Sequence, residues 1–477
     1  MDVVPDREHA TVAEVDNVLI HIADNGDPAL RDLATRQVPL YRPIHLTHVD
    51  STTTHLTDEI EAIWNAFVQH LPSIFQEWWQ VAKTELEQRW ANTPLSSVSN
   101  TAFRYVDNYF LAHKRLPEAD HSFHVGVKNH MAWHPHRPML AVVLENDAVY
   151  IYEKEDDVWT CRVLKHHLMK DITALEWKHR TSGTLAVACR KGVCVWNISY
   201  EDRYQRGTVD EPTLCKSATM QYFTSPDHDH ISSIAWDPSP GSHLLATASS
   251  VSGSLVIYDT MLLQTIQIKR TGNANRLLRW SPNGEWLYVA GHTGYSRMWN
   301  TKSWTHKDLS NPPGLWVESA CWAPNSRNLF IAMHGKTDLH AFYWTDGKAD
   351  AEIRYKKVYA IASPPAGAVR TGSIRQISLD PVKGERLAVA FDHSEHIELY
   401  AVDETAALQL GKGDLLKRIG YIRGSVSPVG HDLANPVNTN LGTKQVHISF
   451  SPSYHKNVNS ILAILYENGI ISFVSHA

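Results

Sequence analysis

A short phrase recurs along the chain: an apolar stretch ending on an aromatic residue, one polar or small residue, then proline. It reads Trp133-His134-Pro135, Trp236-Asp237-Pro238, Trp280-Ser281-Pro282, Trp322-Ala323-Pro324 and Phe450-Ser451-Pro452. Two more copies are imperfect. Trp177-Lys178-His179 keeps the aromatic and loses the proline, and Leu379-Asp380-Pro381 does the reverse. Repetition at this scale restricts the fold strongly, because one such unit cannot bury its apolar face alone and must stack on its neighbours.

Each copy continues alike. A leucine opens a small-apolar strand (Leu140, Leu185, Leu245, Leu287, Leu329, Leu387, Leu462), and an aromatic closes a third strand (Tyr152, Trp196, Tyr258, Trp299, Tyr343, Tyr400, Phe473). Text such as Leu185-Ala186-Val187-Ala188 is apolar on both faces, which marks a buried middle strand. The proline ends the first strand because it has no N–H to donate. Four short strands per unit, repeated radially, are the blades of a propeller. The expectation is an all-β, seven-bladed WD40-type β-propeller over residues 129–477, anchored by Trp133, Trp177, Trp236, Trp280, Trp322, Leu379 and Phe450. Anchor spacings of 44, 59, 44, 42, 57 and 71 residues place inserted loops at Tyr204 to Asp229, Thr345 to Gly372 and Asp403 to Thr443.

Only four residues follow Phe473, so the seventh blade lacks a fourth strand and would expose an edge. The closing strand is expected from the N-terminal extension, residues 1–128. Asn17 to Ala23 is preferred, with Thr101 to Ala112 and Ser122 to Val127 as alternatives. Within the extension, apolar residues at three- and four-residue steps predict helix over about 58–91, split at Pro72. Its aromatic stripe either packs on the propeller or docks a partner, which makes Trp64, Phe67, Trp78 and Trp79 the candidate partner-binding residues.

Composition narrows the function. With 45 Lys+Arg against 51 Asp+Glu the net charge is −6, which argues against a direct nucleic-acid binder. Five scattered cysteines without C-x-x-C point to reduced thiols in a cytosolic or nuclear setting. The N-terminus does not read as a secretory signal. No apolar run approaches the ~18 residues of a membrane span, so membrane association is expected only indirectly. Nucleophile-elbow, zincin and P-loop motifs do not occur. His134-Pro135-His136, His166-His167 and His228-Asp229-His230 read as turn histidines, and Cys189 with Cys194 as inert thiols across one hairpin. The basic pieces Arg354 to Lys357 and Lys417-Arg418 read as solvated loops. No catalytic, cofactor-binding or metal residues are assigned, and an enzyme is not expected.

Several stretches resemble the Aladin family of WD-repeat nucleoporins. The most specific is Ala132-Trp133-His134-Pro135-His136, followed by Leu140 to Leu144 and Val149 to Tyr152. Ala174 to Lys178, Leu185 to Cys189, Leu278 to Pro282 and Cys321 to Pro324 also match. The resemblance implies a non-enzymatic scaffold at the nuclear envelope, in the nuclear pore complex. Its partners would be a transmembrane nucleoporin of the pore membrane ring, which anchors it, and other nucleoporins, and it would support nuclear import. Two rivals come from the fold alone: a WD adaptor of a ubiquitin ligase or signalling complex, and a propeller hydrolase or ligand-binding propeller with a convergent acid–base pair in its channel.

Overall fold

The computed structural model describes Pro5 and residues 9–23, 27–46, 130–143, 147–155, 158–198, 207–209, 212–215, 218–268, 274–292, 295–311, 315–344, 353–360, 372–392, 394, 396–403, 416–423, 445–454, 460–466 and 469–477. Seven antiparallel sheets radiate from an axis. Their first strands are Met131–Trp133, Ala174–Trp177, Ile231–Trp236, Asn275–Trp280, Val317–Trp322, Ile374–Leu379 and Gln445–Phe450. Each of these touches the first strand of the next blade, and the last touches the first, so the ring is closed.

The second strands carry the Ala/Val text and are buried along nearly their whole length, as in Thr184–Cys189 and Ser460–Tyr466. They have sheet neighbours on both edges and blades against both faces. In five blades the opening leucine lies directly across from the closing aromatic, for example Leu140 from Tyr152 and Leu387 from Tyr400. Two blades depart from this. Leu329 faces Phe342 rather than Tyr343, and Leu462 faces Val474 rather than Phe473. A one-residue offset turns a side chain to the other face, so Phe342 enters the core while Tyr343 stays half-buried.

The long inserts are not simply loops between blades. Each carries the fourth strand of the blade before it: Thr219–Phe223, Ile353–Ala360 and Leu416–Ile422. The basic pieces Arg354 to Lys357 and Lys417-Arg418 therefore sit on outermost strands. The first insert also reaches back to blade one, where Gly207–Thr208 and Thr213–Leu214 pair with its outer strand, Val158–Leu164. Arg162, on that strand, forms a buried ion pair with Glu153 at 2.8 Å.

The N-terminal segment closes the ring, though not through the preferred residues. Strand β1 (Ala10–Val15) pairs in parallel with Ile470–His476, the third strand of blade seven, while β2 (Val18–Ile22) folds back outside β1. A short helix α1 (Pro28–Thr35) follows, with Asp27 capping Ala29 N–H at 2.9 Å and proline at its first turn. Strand β3 (Ile44–His45) then pairs antiparallel with the start of the same blade-seven strand. The edge is thus covered in two halves, by β1 at Ser475–His476 and by β3 at Ile470–Ile471.

One buried carboxylate pins this arrangement. Glu14 on β1 accepts from Arg386 Nε and Nη2 of blade six at 3.1 Å each, from Asn17 N–H at 2.7 Å, and lies 3.1 Å from His476 Nδ1 of blade seven. Thr11 exchanges two hydrogen bonds with the Arg423 backbone of blade six. Leu19 of β2 lies over Gly420, where a Cβ would approach Leu19 Cδ1 to 2.8 Å, so a larger residue there would push the leucine tip aside. At the seam between blades seven and one, Trp159 stacks on Phe473 at 5.2 Å and donates to the Arg42 carbonyl, and Tyr41 packs against both rings.

Burial opposes ionisation of Glu14, but the hydrogen bonds from His476 and Arg386 and their charges outweigh it, holding the carboxyl at about 2 against an ordinary 4.5. A depressed acid contributes stability above its unfolded value and loses it as pH falls toward its folded value. Glu14 should therefore stabilise fully above 4.5 and progressively less down to about 2. Glu14→Ala removes the buried carboxylate that Asn17, Arg386 and His476 share and should cost about 3–5 kcal/mol in denaturant unfolding at neutral pH. Removing residues 1–30 should destabilise blade seven although the two are remote in sequence. Unchanged stability in either variant would show that the ring does not depend on this closure.

Candidate functional site

The anchors act at the seams between blades. Trp133 Nε1 donates to the Ser449 carbonyl of blade seven at 3.2 Å, Trp177 to Ala132 at 3.0 Å, Trp236 to Glu176 at 3.2 Å and Trp322 to Arg279 at 3.1 Å. In each case the acceptor is the residue just before the preceding blade's anchor. Trp280 instead bonds its own turn at Gly284, and that seam is held by Ser233 Oγ accepting from Leu278 N–H. Leu379 and Phe450 have no donor. Ser319 Oγ accepts from Ile377 N–H there, Ser378 Oγ accepts from Phe450 N–H, and the Gln376 amide exchanges two bonds with Ile448. All seven anchors are at most 8% exposed.

The residue before each anchor turns to the opposite face of its strand, toward the neighbouring blade. Around the ring this inner tier reads Ala132, Glu176, Ala235, Arg279, Cys321, Ser378 and Ser449. A second tier lies three residues earlier. In blades three to seven a one-residue register shift falls there, a bulge that pushes one side chain out of the ladder. The residues so displaced are Ser232, Arg276, Glu318, Arg375 and Val446. Three of them bond to the next blade's first strand: Ser232 Oγ to Asn275 O, Arg276 Nη2 to Glu318 Oε1 at 2.6 Å, and Arg375 Nη1 to Gln445 O. Glu318 also accepts from Trp316 Nε1 and lies 3.1 Å from His334 Nδ1.

The two inner-tier charges are half-buried and surrounded by protein. Desolvation drives the Glu176 carboxyl up. The Trp236 N–H and the Arg279 charge pull it partly back, leaving it at about 8. Desolvation likewise lowers Arg279. Arg279 Nε donates to the Ala320 carbonyl and Nη1 to that of Leu278, and no described carboxylate comes within 4.0 Å of it. A hydrolytic propeller needs two convergent carboxylates, whereas the inner tier holds one, facing a guanidinium. Burial also pushes the Cys321 and Cys161 thiols up to about 12, away from nucleophilic thiolate.

The histidine clusters behave unequally. His134 is buried rather than solvated. Its Nδ1 accepts from His136 N–H, its ring sits 4.9 Å from Trp177, its carbonyl accepts from Tyr454 OH, and desolvation holds it at about 4. His228 is buried 2.9 Å from Thr247 Oγ1 and is also held at about 4 by desolvation. Cys189 and Cys194 are buried and unbridged, and they are diagonal rather than opposed across their hairpin. Among the described residues no group of three or more His, Cys, Asp or Glu side chains is arranged to hold a metal. Trp64, Phe67, Trp78 and Trp79 lie outside the described residues, as do Thr101 to Ala112 and Ser122 to Val127. The channel charges Arg279 and Glu176 escaped the sequence reading. Their only signal was a charged residue immediately before an anchor.

A closed ring of seven four-stranded units, stapled at its seams by the repeat's own tryptophans, defines a WD-repeat-type propeller. In sequence the chain is similar to Aladin from Arabidopsis thaliana, 27% identical over 313 residues that span 62% of this chain and 67% of that protein. This bears out the Aladin resemblance read from the repeat text. Among solved structures it is similar to the β-propeller domain of Cps50 (Swd1) from Myceliophteria thermophila, with a TM-score of 0.50, 15% identity and coverage of 74% of this chain and 97% of that one. That likeness concerns the fold alone. No family model matches the chain.

Two expected outcomes test the ring and its channel. Trp236→Ala should cost about 3–5 kcal/mol, and Trp236→Phe, which keeps a ring but strips the donor from the Glu176 carbonyl, about 1–3 kcal/mol. Equal, negligible losses in urea unfolding would remove the seam role. Glu176 has a raised folded value, so its contribution is present below 4.5 and lost as pH rises through about 8. Glu176→Gln should therefore flatten stability between those limits and leave the variant more stable than the parent at pH 9. A parallel pH profile would contradict this.

Proposed function

We propose that the chain is a non-enzymatic scaffold subunit of the nuclear pore complex. In this reading it is held at the nuclear envelope by a transmembrane nucleoporin of the pore membrane ring and supports nuclear import. The observation that carries the reading is the likeness to Aladin over 62% of the chain. Two physical features support it. A ring closed by a buried ionic clamp makes a rigid platform, and its inner tier holds one carboxylate opposite a guanidinium rather than an acid–base pair. Among the described residues no helix is long and apolar enough to cross a membrane, so anchoring is assigned to a partner.

Affinity purification of the full chain from nuclear envelopes tests this directly. The expected result is co-recovery of pore proteins, including a membrane-spanning one that survives detergent extraction. Recovery of ubiquitin-ligase or signalling subunits without pore proteins would overturn the proposal in favour of an adaptor role.

A further inference from the structure

We propose that the central channel is a binding site for an oxyanion, held at the inner tier by Arg279. A desolvated charge is normally neutralised by a partner. Arg279 has only two backbone carbonyls, and its Nη2 makes no hydrogen bond to any described residue. Arg375, at the bulged tier of blade six, is half-buried and bonds the Gln445 carbonyl. The third channel arginine, Arg276, is already matched by Glu318. Arg279 is thus left without a carboxylate at ion-pair distance, and the acid whose charge reaches it is Glu176.

The remaining inner-tier groups on that side are donors: the Ser378 hydroxyl, the Cys321 thiol and the Ser449 hydroxyl. The tier is built from strands stapled at every seam, so the donors are fixed before the anion arrives and little is spent on ordering them. Arg375 sits toward the other end of the first strand and supplies an attractive field along the route to Arg279.

Glu176 is the one carboxyl on the inner tier. Arg279 is the charge that faces it, and the intervening Ala235 and adjoining Ala132 carry none. In its protonated form Glu176 adds a donor to the site, and ionised it repels the anion. Binding should therefore weaken as pH rises through about 8. The oxyanion has two sources with the same chemistry, a free inorganic ion or the terminal carboxylate of a partner chain threaded into the channel.

Calorimetric titration of the full chain with sulfate, which does not titrate in this range, tests the site at constant ionic strength against chloride. A parallel arm uses a short peptide with a free or amidated C-terminus. Saturable sulfate binding is expected, at least tenfold weaker in Arg279→Met and weaker at pH 9 than at pH 6. In Glu176→Gln the pH 9 loss should vanish. Tighter binding of the free-acid peptide than of sulfate, lost on amidation, would identify a chain end as the source. Equal peptide affinities would identify the free ion. No saturable binding, or a parental affinity in Arg279→Met, overturns the proposal. Should Arg279→Met fail to fold, an unchanged pH dependence in Glu176→Gln overturns it independently. None of these readouts depends on whether the ring belongs to the nuclear pore.

Discussion

Ring closure is the constraint on which the rest of this structure depends. A propeller blade is stable because it has a neighbour on each side, and a ring left open has two blades with one neighbour each. Here the outer edge of the last blade's third strand is covered by residues more than four hundred positions earlier. Glu14 brings β1, blade six and blade seven to one carboxylate, and every oxygen lone pair finds a donor there. A buried ion pair is favourable only when its geometry is this complete. The loss of loop entropy in joining the chain ends is recovered once, in a single cooperative closure.

The seams show how one structural requirement is met by different chemistry. Four tryptophans reach across to a backbone carbonyl in the preceding blade. Where the anchor is Leu379 or Phe450, that donor is missing, and serine and glutamine side chains on the preceding blade's first strand bond the anchor strand's backbone instead. The anchors without a ring N–H are therefore compensated at their own backbone or two residues before it. A first strand contributes both an apolar plug for the core and a polar staple for the seam, and either can vary if the other is supplied.

The channel follows from the same geometry. Once the anchor points into the core, the residue before it turns to the other face of the strand, where Ala132, Ala235 and Cys321 pack on the neighbouring blade. Most blades place a small or hydroxyl-bearing residue at that position. Blades two and four place Glu176 and Arg279, at a desolvation cost that the fold itself does not require. A scaffold assignment for the whole ring and a ligand-binding role for its axis are compatible, because they use different surfaces.

The sequence by itself determined the number of blades, the buried second strands and the anchors' positions, because these rest on local periodicity: alternation within strands and repetition between units. It also pointed to the N-terminal extension as the source of the strand beside Phe473, which the pairing of β1 with Ile470–His476 bears out in segment though not in residues. Only the tertiary structure decided that β1 rather than Asn17 to Ala23 lies on the open edge, because both strands of a hairpin carry similar apolar text and only their partners distinguish them. Tyr343 and Phe473 were read one residue out of register with the opening leucine, since adjacent aromatic and apolar residues satisfy the same pattern until a cross-strand neighbour fixes the face. Glu14, Glu176 and Arg279 look like ordinary surface charges in the text. Their roles come from what surrounds them, contributed by blades dozens to hundreds of residues away, and no local pattern encodes that.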